Sequence, residues 1–207
     1  MARKPLTKPR KSASQERSRA TVDALVEATA RVLVREGFDK ASTNRIAEVA
    51  GVSIGSLYQY FPSKESLVAA VIARHNQEVT EVVHRALAEI ASQPLEKAIR
   101  TLVATAVEAH RIAPKLHRVL AEQIPRTGRL QAVGGLNGET YALFKAYLEQ
   151  HRQELRAPDL DLATFVCAIS IEALSHDTVL HHAEAIAGDK VETLIDETTR
   201  LIVGYLT

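Results

Sequence analysis

"STNRIAEVAGVSIGSLYQYFPSK", residues 42–64, is the stretch on which the reading of this chain turns. Ser42 and Thr43 supply side-chain oxygens to open a helix that runs to about Ala50. Gly51 permits a tight turn, Val52 packs under it, and Ser53 caps a second short helix over about 54–60. Pro62 stops that helix, and Ser63 caps the next, with Ser66 at its third position. Two short helices joined by a tight turn, the second carrying small, hydroxyl and aromatic side chains, are the layout of a helix-turn-helix DNA reader.

The inward set that would fix the two helices is Ile46, Ala47, Ala50, Val52 and Leu57. The outward set comprises Ser53, Ile54, Gly55, Ser56, Tyr58, Gln59 and Tyr60. Gly55 lets backbone approach the bases, Gln59 suits an adenine edge, and Ile54 suits a thymine methyl. Thr43, Ser53, Ser56, Tyr58, Tyr60 and Lys64 suit phosphate oxygens, assisted by free N–H groups at helix N-termini. The bland alternative is a three-helix bundle in which Tyr58, Tyr60 and Phe61 are core plugs. Phe61 is assigned to packing under either reading.

Working outward, residues 1–13 hold two prolines and five basic residues and read as a flexible basic arm. Such an arm fits a DNA groove or a solubilising tail equally. A helix over 14–35 carries one apolar stripe (Val22, Leu25, Val26, Thr29, Val32, Leu33), with Gly37 as its C-cap and Phe38 returning to the core. Further helices are expected over about 64–92, 95–111, 114–123, 139–154, 160–182 and 190–205, with 124–138 a loop. No β-alternation is sustained. The chain therefore reads as all-α: an arm (1–13), a helix-turn-helix domain (14–62), and a larger helical body (63–207) that senses or dimerises.

Charge is distributed unevenly. Residues 1–75 hold 13 Lys/Arg against 7 Asp/Glu, and residues 76–207 hold 13 against 18. A net +6 front end on a net −5 body, within an overall +1, fits one end meeting a polyanion. The single cysteine, Cys167, excludes an intrachain disulfide framework. It lies in an apolar run and reads as buried and inert. With no apolar signal region and no expected membrane span, a cytoplasmic location is the default.

"TNRIAEVAGVSIGSLYQYFPSKESLVAAVIARH", residues 43–75, resembles the signature of the TetR family of bacterial transcriptional regulators. The matching features are Thr43, Ile46-Ala47, Ala50-Gly51-Val52, Gly55, Leu57-Tyr58, Tyr60-Phe61, Lys64-Glu65 and Leu67, with Gly37-Phe38 upstream. The resemblance covers about residues 14–75. It implies an all-helical homodimer on a palindromic double-stranded DNA operator, usually a repressor, released by a small, largely apolar effector. It places Thr43, Tyr58 and Lys64 at phosphate contacts, and Asn44, Ile54, Gly55, Ser56 and Gln59 at or near bases, with Arg45 an accessory contact. Ile54 is apolar where many members carry a polar residue.

For the dimer, the last helix offers Leu194, Ile195, Thr198, Leu201, Ile202 and Tyr205 at near-heptad spacing. The helix before it offers Phe165, Val166 and Ile169 on one face, and Cys167, Ile171 and Leu174 on another. Two such faces need two sets of partners, either within one chain or across a two-fold axis. Candidate pocket residues are His75, Glu108, His110, His117, Tyr141, Tyr147, Glu172 and His176 among the polar groups, and Val103, Val107, Phe144, Phe165 and Ile169 among the apolar ones. One by one, the polar groups also read as surface or satisfied core residues. The apolar set fits a cavity or a closed core. Low aromatic content disfavours a pocket that stacks flat cationic drugs, while fatty, acyl or phenolic ligands all remain compatible.

No HExxH, Cys/His zinc pattern, Walker loop or dinucleotide fingerprint is present, so neither metal, cofactor nor enzyme activity is expected. The alternatives retained are a DNA-binding activator, a regulator answering to a protein partner, and a helical enzyme or scaffold without DNA binding.

Overall fold

The computed structural model describes residues 16–122, 124, 138–182, 184 and 187–207. The arm 1–13 and most of the expected loop 124–138 lie outside the described residues. Among the described residues there are nine α-helices and no strand: α1 Glu16–Lys40, α2 Thr43–Ala50, α3 Ile54–Tyr60, α4 Lys64–Ile90, α5 Leu95–Arg111, α6 Pro114–Glu122, α7 Gly138–Gln150, α8 Leu160–His181 and α9 Lys190–Leu206. The turn expected to close α7 is instead a separate 3-10 turn, Arg152–Glu154.

The local chemistry of the decisive stretch is realised atom by atom. The Ser42 hydroxyl accepts from the Arg45 N–H at 3.2 Å. Gly51 is left-handed (φ 68°, ψ 28°). Its N–H donates to the Glu48 carbonyl and that of Val52 to the Ala47 carbonyl, a Schellman closure that satisfies the end of α2. The Ser53 hydroxyl accepts from the Ser56 N–H at 3.1 Å, and Ser63 and Ser66 cap each other's backbone at 3.2 Å. Gly37, at φ 77° and ψ 170°, is non-helical and interrupts α1 where its end was expected; Phe38 turns into the core and a short helical turn follows to Lys40.

Two compact units emerge. One comprises residues 1–77 and 115–133, the other 78–114 and 134–207. The division falls inside α4, whereas the sequence reading starts the body at residue 63. Unit one packs Leu25, Leu33, Ile46, Leu57, Phe61 and Leu67 around a core that α6 joins through Val119 and Leu120. The second unit builds its core from Ile90, Ile99, Val103, Phe144, Leu148 and Ile202. Arg100 on α5 bridges Glu192 and Asp196 on α9. Ala113, in the link to α6, is the one non-glycine residue with positive φ (52°) among the described residues.

By length and composition α8 could cross a membrane. Packing accounts for much of that apolar character, since α8 contacts α5, α7 and α9 within its own unit.

Candidate nucleic-acid interface and effector cavity

In unit one, α3 turns Leu57 and Tyr60 inward and leaves Ser53, Ile54, Gly55, Tyr58 and Gln59 exposed, with Ser56 half-buried. Tyr60 is only 8% exposed and therefore does not belong to the outward set. The reason is helical phase: it lies three residues after Leu57, on the same face. Tyr58, 42% exposed, stays at the surface, where its hydroxyl and that of Thr43 share a hydrogen bond of 3.0 Å. That bond brings two phosphate-suited oxygens, one from the start of α2 and one from α3, to a single spot.

Asn44 is exposed beside them. Arg45 is held by Glu36 at 2.8 Å and Glu48 at 2.9 Å. Those carboxylates raise the guanidinium pKa above its usual value, Glu36 foremost. The Lys64 ammonium donates to the Phe38 carbonyl at 2.9 Å and sits 4.1 Å above the Phe38 ring centre. The anchoring role of Phe38 was not part of the sequence reading. The signal lay in the Gly37-Phe38 pair, but its partner is 26 residues away.

The second unit contains a cleft of about 440 Å³, counting space open to solvent. Its walls come from Val83 and Leu87 of α4, Leu102 and Ala106 of α5, Thr140 and Phe144 of α7, and Ala168, Ile171 and Glu172 of α8. Of the candidate pocket residues, only Phe144 and Glu172 line it. His110 reaches it indirectly: its Nε2 lies 3.2 Å from Glu172 Oε2, and its ring meets His176 edge-on at 5.4 Å. Burial, followed by the neighbouring His110, lowers the His176 pKa below its ordinary value.

The remaining pocket candidates are placed elsewhere. His75 and His117 are buried in unit one, where they share a 2.7 Å hydrogen bond between α4 and α6. Glu108 is exposed and paired with Arg111. Tyr141 donates its hydroxyl to the Asp161 carbonyl. Tyr147 donates to the Gln93 carbonyl, and burial raises its phenol to about 12. Val103 and Val107 pack in the core, one helical position away from the Leu102–Ala106 face that lines the cleft. Phe165 and Ile169 face outward and line no cavity described here.

The dimer candidates divide in the same way. Phe165 (53% exposed), Ile169, Leu201 (58%) and Tyr205 lie on the surface, with Val166 and Leu194 half-buried. Ile195, Thr198 and Ile202 are buried in this chain's own core and leave the candidate interface. Leu162 and Leu174 join the exposed apolar residues of α8. Cys167 is fully buried, and burial pushes its thiol up to about 12. Among the described residues no group of three or more His, Cys, Asp or Glu is placed to hold a metal.

A capped helix-turn-helix unit followed by a separate helical body defines a class of two-unit regulatory proteins. Residues 25–71 match the family described as "Bacterial regulatory proteins, tetR family". Residues 94–206, more than half of the chain, match "Tetracyclin repressor-like, C-terminal domain". The chain belongs to the TetR family of bacterial regulatory proteins.

Among curated relatives, the nucleoid occlusion factor SlmA of Haemophilus ducreyi is 31% identical over 116 residues, 56% of this chain and 55% of that protein. The chain thus spans about half the length of the curated relatives it matches first. A family member from Mesorhizobium loti has a similar structure (TM-score 0.70, 17% identity, covering 92% of this chain and 98% of that one). The fatty acid degradation regulator FadR of Bacillus halodurans is also similar (TM-score 0.64, 18% identity, covering 94% and 97%). Both likenesses are likenesses of fold.

Proposed function

We propose that this chain is a ligand-responsive transcriptional regulator that acts in the cytoplasm. As a homodimer it holds a palindromic operator, as a repressor does, and a small, largely apolar effector entering the α4–α5–α7–α8 cleft releases it. The observation that carries this reading is the exposed face of α3 beside the joined Thr43 and Tyr58 hydroxyls. Thr43, Tyr58 and Lys64 contact phosphates, while Asn44, Ile54, Gly55, Ser56 and Gln59 approach the bases. Tyr60 acts from the core, holding α3 in place. Arg45 contributes only after exchanging one of its two carboxylates for DNA.

The test begins with selection of fragmented genomic DNA by the purified protein, which should retain a palindrome. Tyr58→Phe combined with Lys64→Gln should then weaken operator binding steeply while leaving the dimer folded. Each dimer loses two Lys64 charges, so the slope of log K against log salt should fall by about 2. An unchanged slope and affinity would remove this face as the DNA contact.

A second reading, a DNA-binding regulator that answers to a protein partner, predicts a retained palindrome that no small molecule releases.

A further inference from the structure

The cleft in the second unit is almost wholly hydrocarbon. Val83, Leu87, Leu102, Ala106, Phe144 and Ile171 offer only carbon to an occupant. Two polar groups interrupt that wall. The Thr140 hydroxyl is tied to His84 Nε2 at 2.9 Å, and Thr140 is itself buried. The other group is the Glu172 carboxylate. No Lys or Arg stands among the described lining residues.

From the geometry we infer that this cleft takes a small apolar amine, its ammonium group meeting Glu172 and its carbon skeleton lying along α4, α5 and α7. The inference rests on the reading of the cleft as the effector site and names the chemistry that the site selects.

Three observations support a cation over the alternatives. A carboxylate on an apolar wall strengthens any ion pair formed there, because little water competes for either charge. The same carboxylate opposes an incoming acid or phosphate by like-charge repulsion. Finally, Glu172 is held in place. Its Oε2 accepts from His110 Nε2–H, and His110 is 2% exposed, packed edge-on to His176. The carboxylate therefore need not be ordered by the ligand, which lowers the entropic cost of binding.

Phe144 is the one aromatic residue in the described lining, so recognition comes from charge and apolar contact rather than from stacking.

The test uses octylamine, 1-octanol and octanoate, which share an eight-carbon chain and differ in the head group. Titration calorimetry on the full chain at about pH 8, where ordinary imidazoles are neutral, measures each. Octylamine should bind at least about 10-fold more tightly than octanol, the ratio expected for a hydrogen bond to a charged group, and octanoate should bind weakest. Glu172→Gln keeps an acceptor for His110 and should erase the amine's advantage. Ala106→Phe fills the cleft and should abolish binding of all three.

Octanol equal to octylamine, octanoate tightest, binding that survives Ala106→Phe, or no binding at all would each overturn the assignment. Release of the selected operator is scored separately. Octylamine that binds through Glu172 without releasing DNA upholds the site's chemistry and removes the regulatory reading. Operator release by octanoate upholds the regulatory reading and removes the amine.

Discussion

Replacing Phe165 by Asp should separate the subunits without unfolding them. Phe165 and Ile169 on α8, with Leu201 and Tyr205 on α9, are each 44–58% exposed. Burying a Phe or Leu side chain completely contributes about 1.5–3 kcal/mol. Roughly half of that is already realised for Phe165 within the chain, leaving about 1 kcal/mol per copy for a partner to supply. A two-fold interface uses the residue twice, so its loss costs the dimer about 2 kcal/mol, or about 30-fold in Kd. The buried carboxylate of the Asp adds to that figure, which is therefore a lower bound.

Sedimentation velocity across a dilution series reads the Kd directly. The melting temperature of the dissociated subunit checks that the chain still folds, since the substituted side chain leaves no hole in the core. Gly204 provides an independent control: a Cβ built there meets nothing within 4 Å in the chain. Gly204→Leu should therefore disturb association and little else. A Phe165→Asp protein that remains dimeric with an unchanged Kd would refute the assignment of this face.

Gly51→Ala should destabilise unit one by about 1–2 kcal/mol through left-handed backbone strain, because the site is sterically open. For a chain of this size that is a fall of about 2–4 °C in Tm per kcal/mol, with Gly51→Asn milder. His176 titrates below its ordinary value of 6.5 when folded, so the unfolded chain binds its proton first as the pH falls. Its contribution is present above about pH 6.5 and is lost on acidification through the lowered pKa. Thermal melts of His176→Gln should accordingly show a shallower loss of stability below about pH 6.5. Cys167, fully buried with its thiol raised to about 12, should react with a thiol reagent only as fast as the second unit opens.

Local signals carried most of the reading of the DNA-facing unit. Ser42, Gly51 and Ser53 each act on backbone within a few residues of themselves, so their roles follow from spacing. Tyr60 was also within reach, since three residues from Leu57 is the same helical face. An aromatic residue that suits both a phosphate and a core hides that geometry.

The body was less legible for a different reason. Its helices are apolar on more than one side, and periodicity cannot say which side meets the chain's own core. Ile195 and Ile202 went inside while Leu201 stayed outside, although all three share the apolar pattern of α9. Leu102 and Ala106 line the cleft, whereas their neighbours Val103 and Val107 pack away from it. The His75–His117 contact spans 42 residues and joins α6 to unit one, a pairing that no local pattern encodes.

The division of labour on α3 has an evolutionary consequence. Leu57 and Tyr60 anchor the helix, while Gly55 and Gln59 lie exposed, and a Cβ at Gly55 would approach only the Ser53 hydroxyl, at 3.9 Å. Substitutions at 55 and 59 therefore carry little penalty for folding. A lineage can drift through many residue pairs at these two sites before any is tested against DNA, so gene duplication can yield a paralogue with a new target while its scaffold stays fixed.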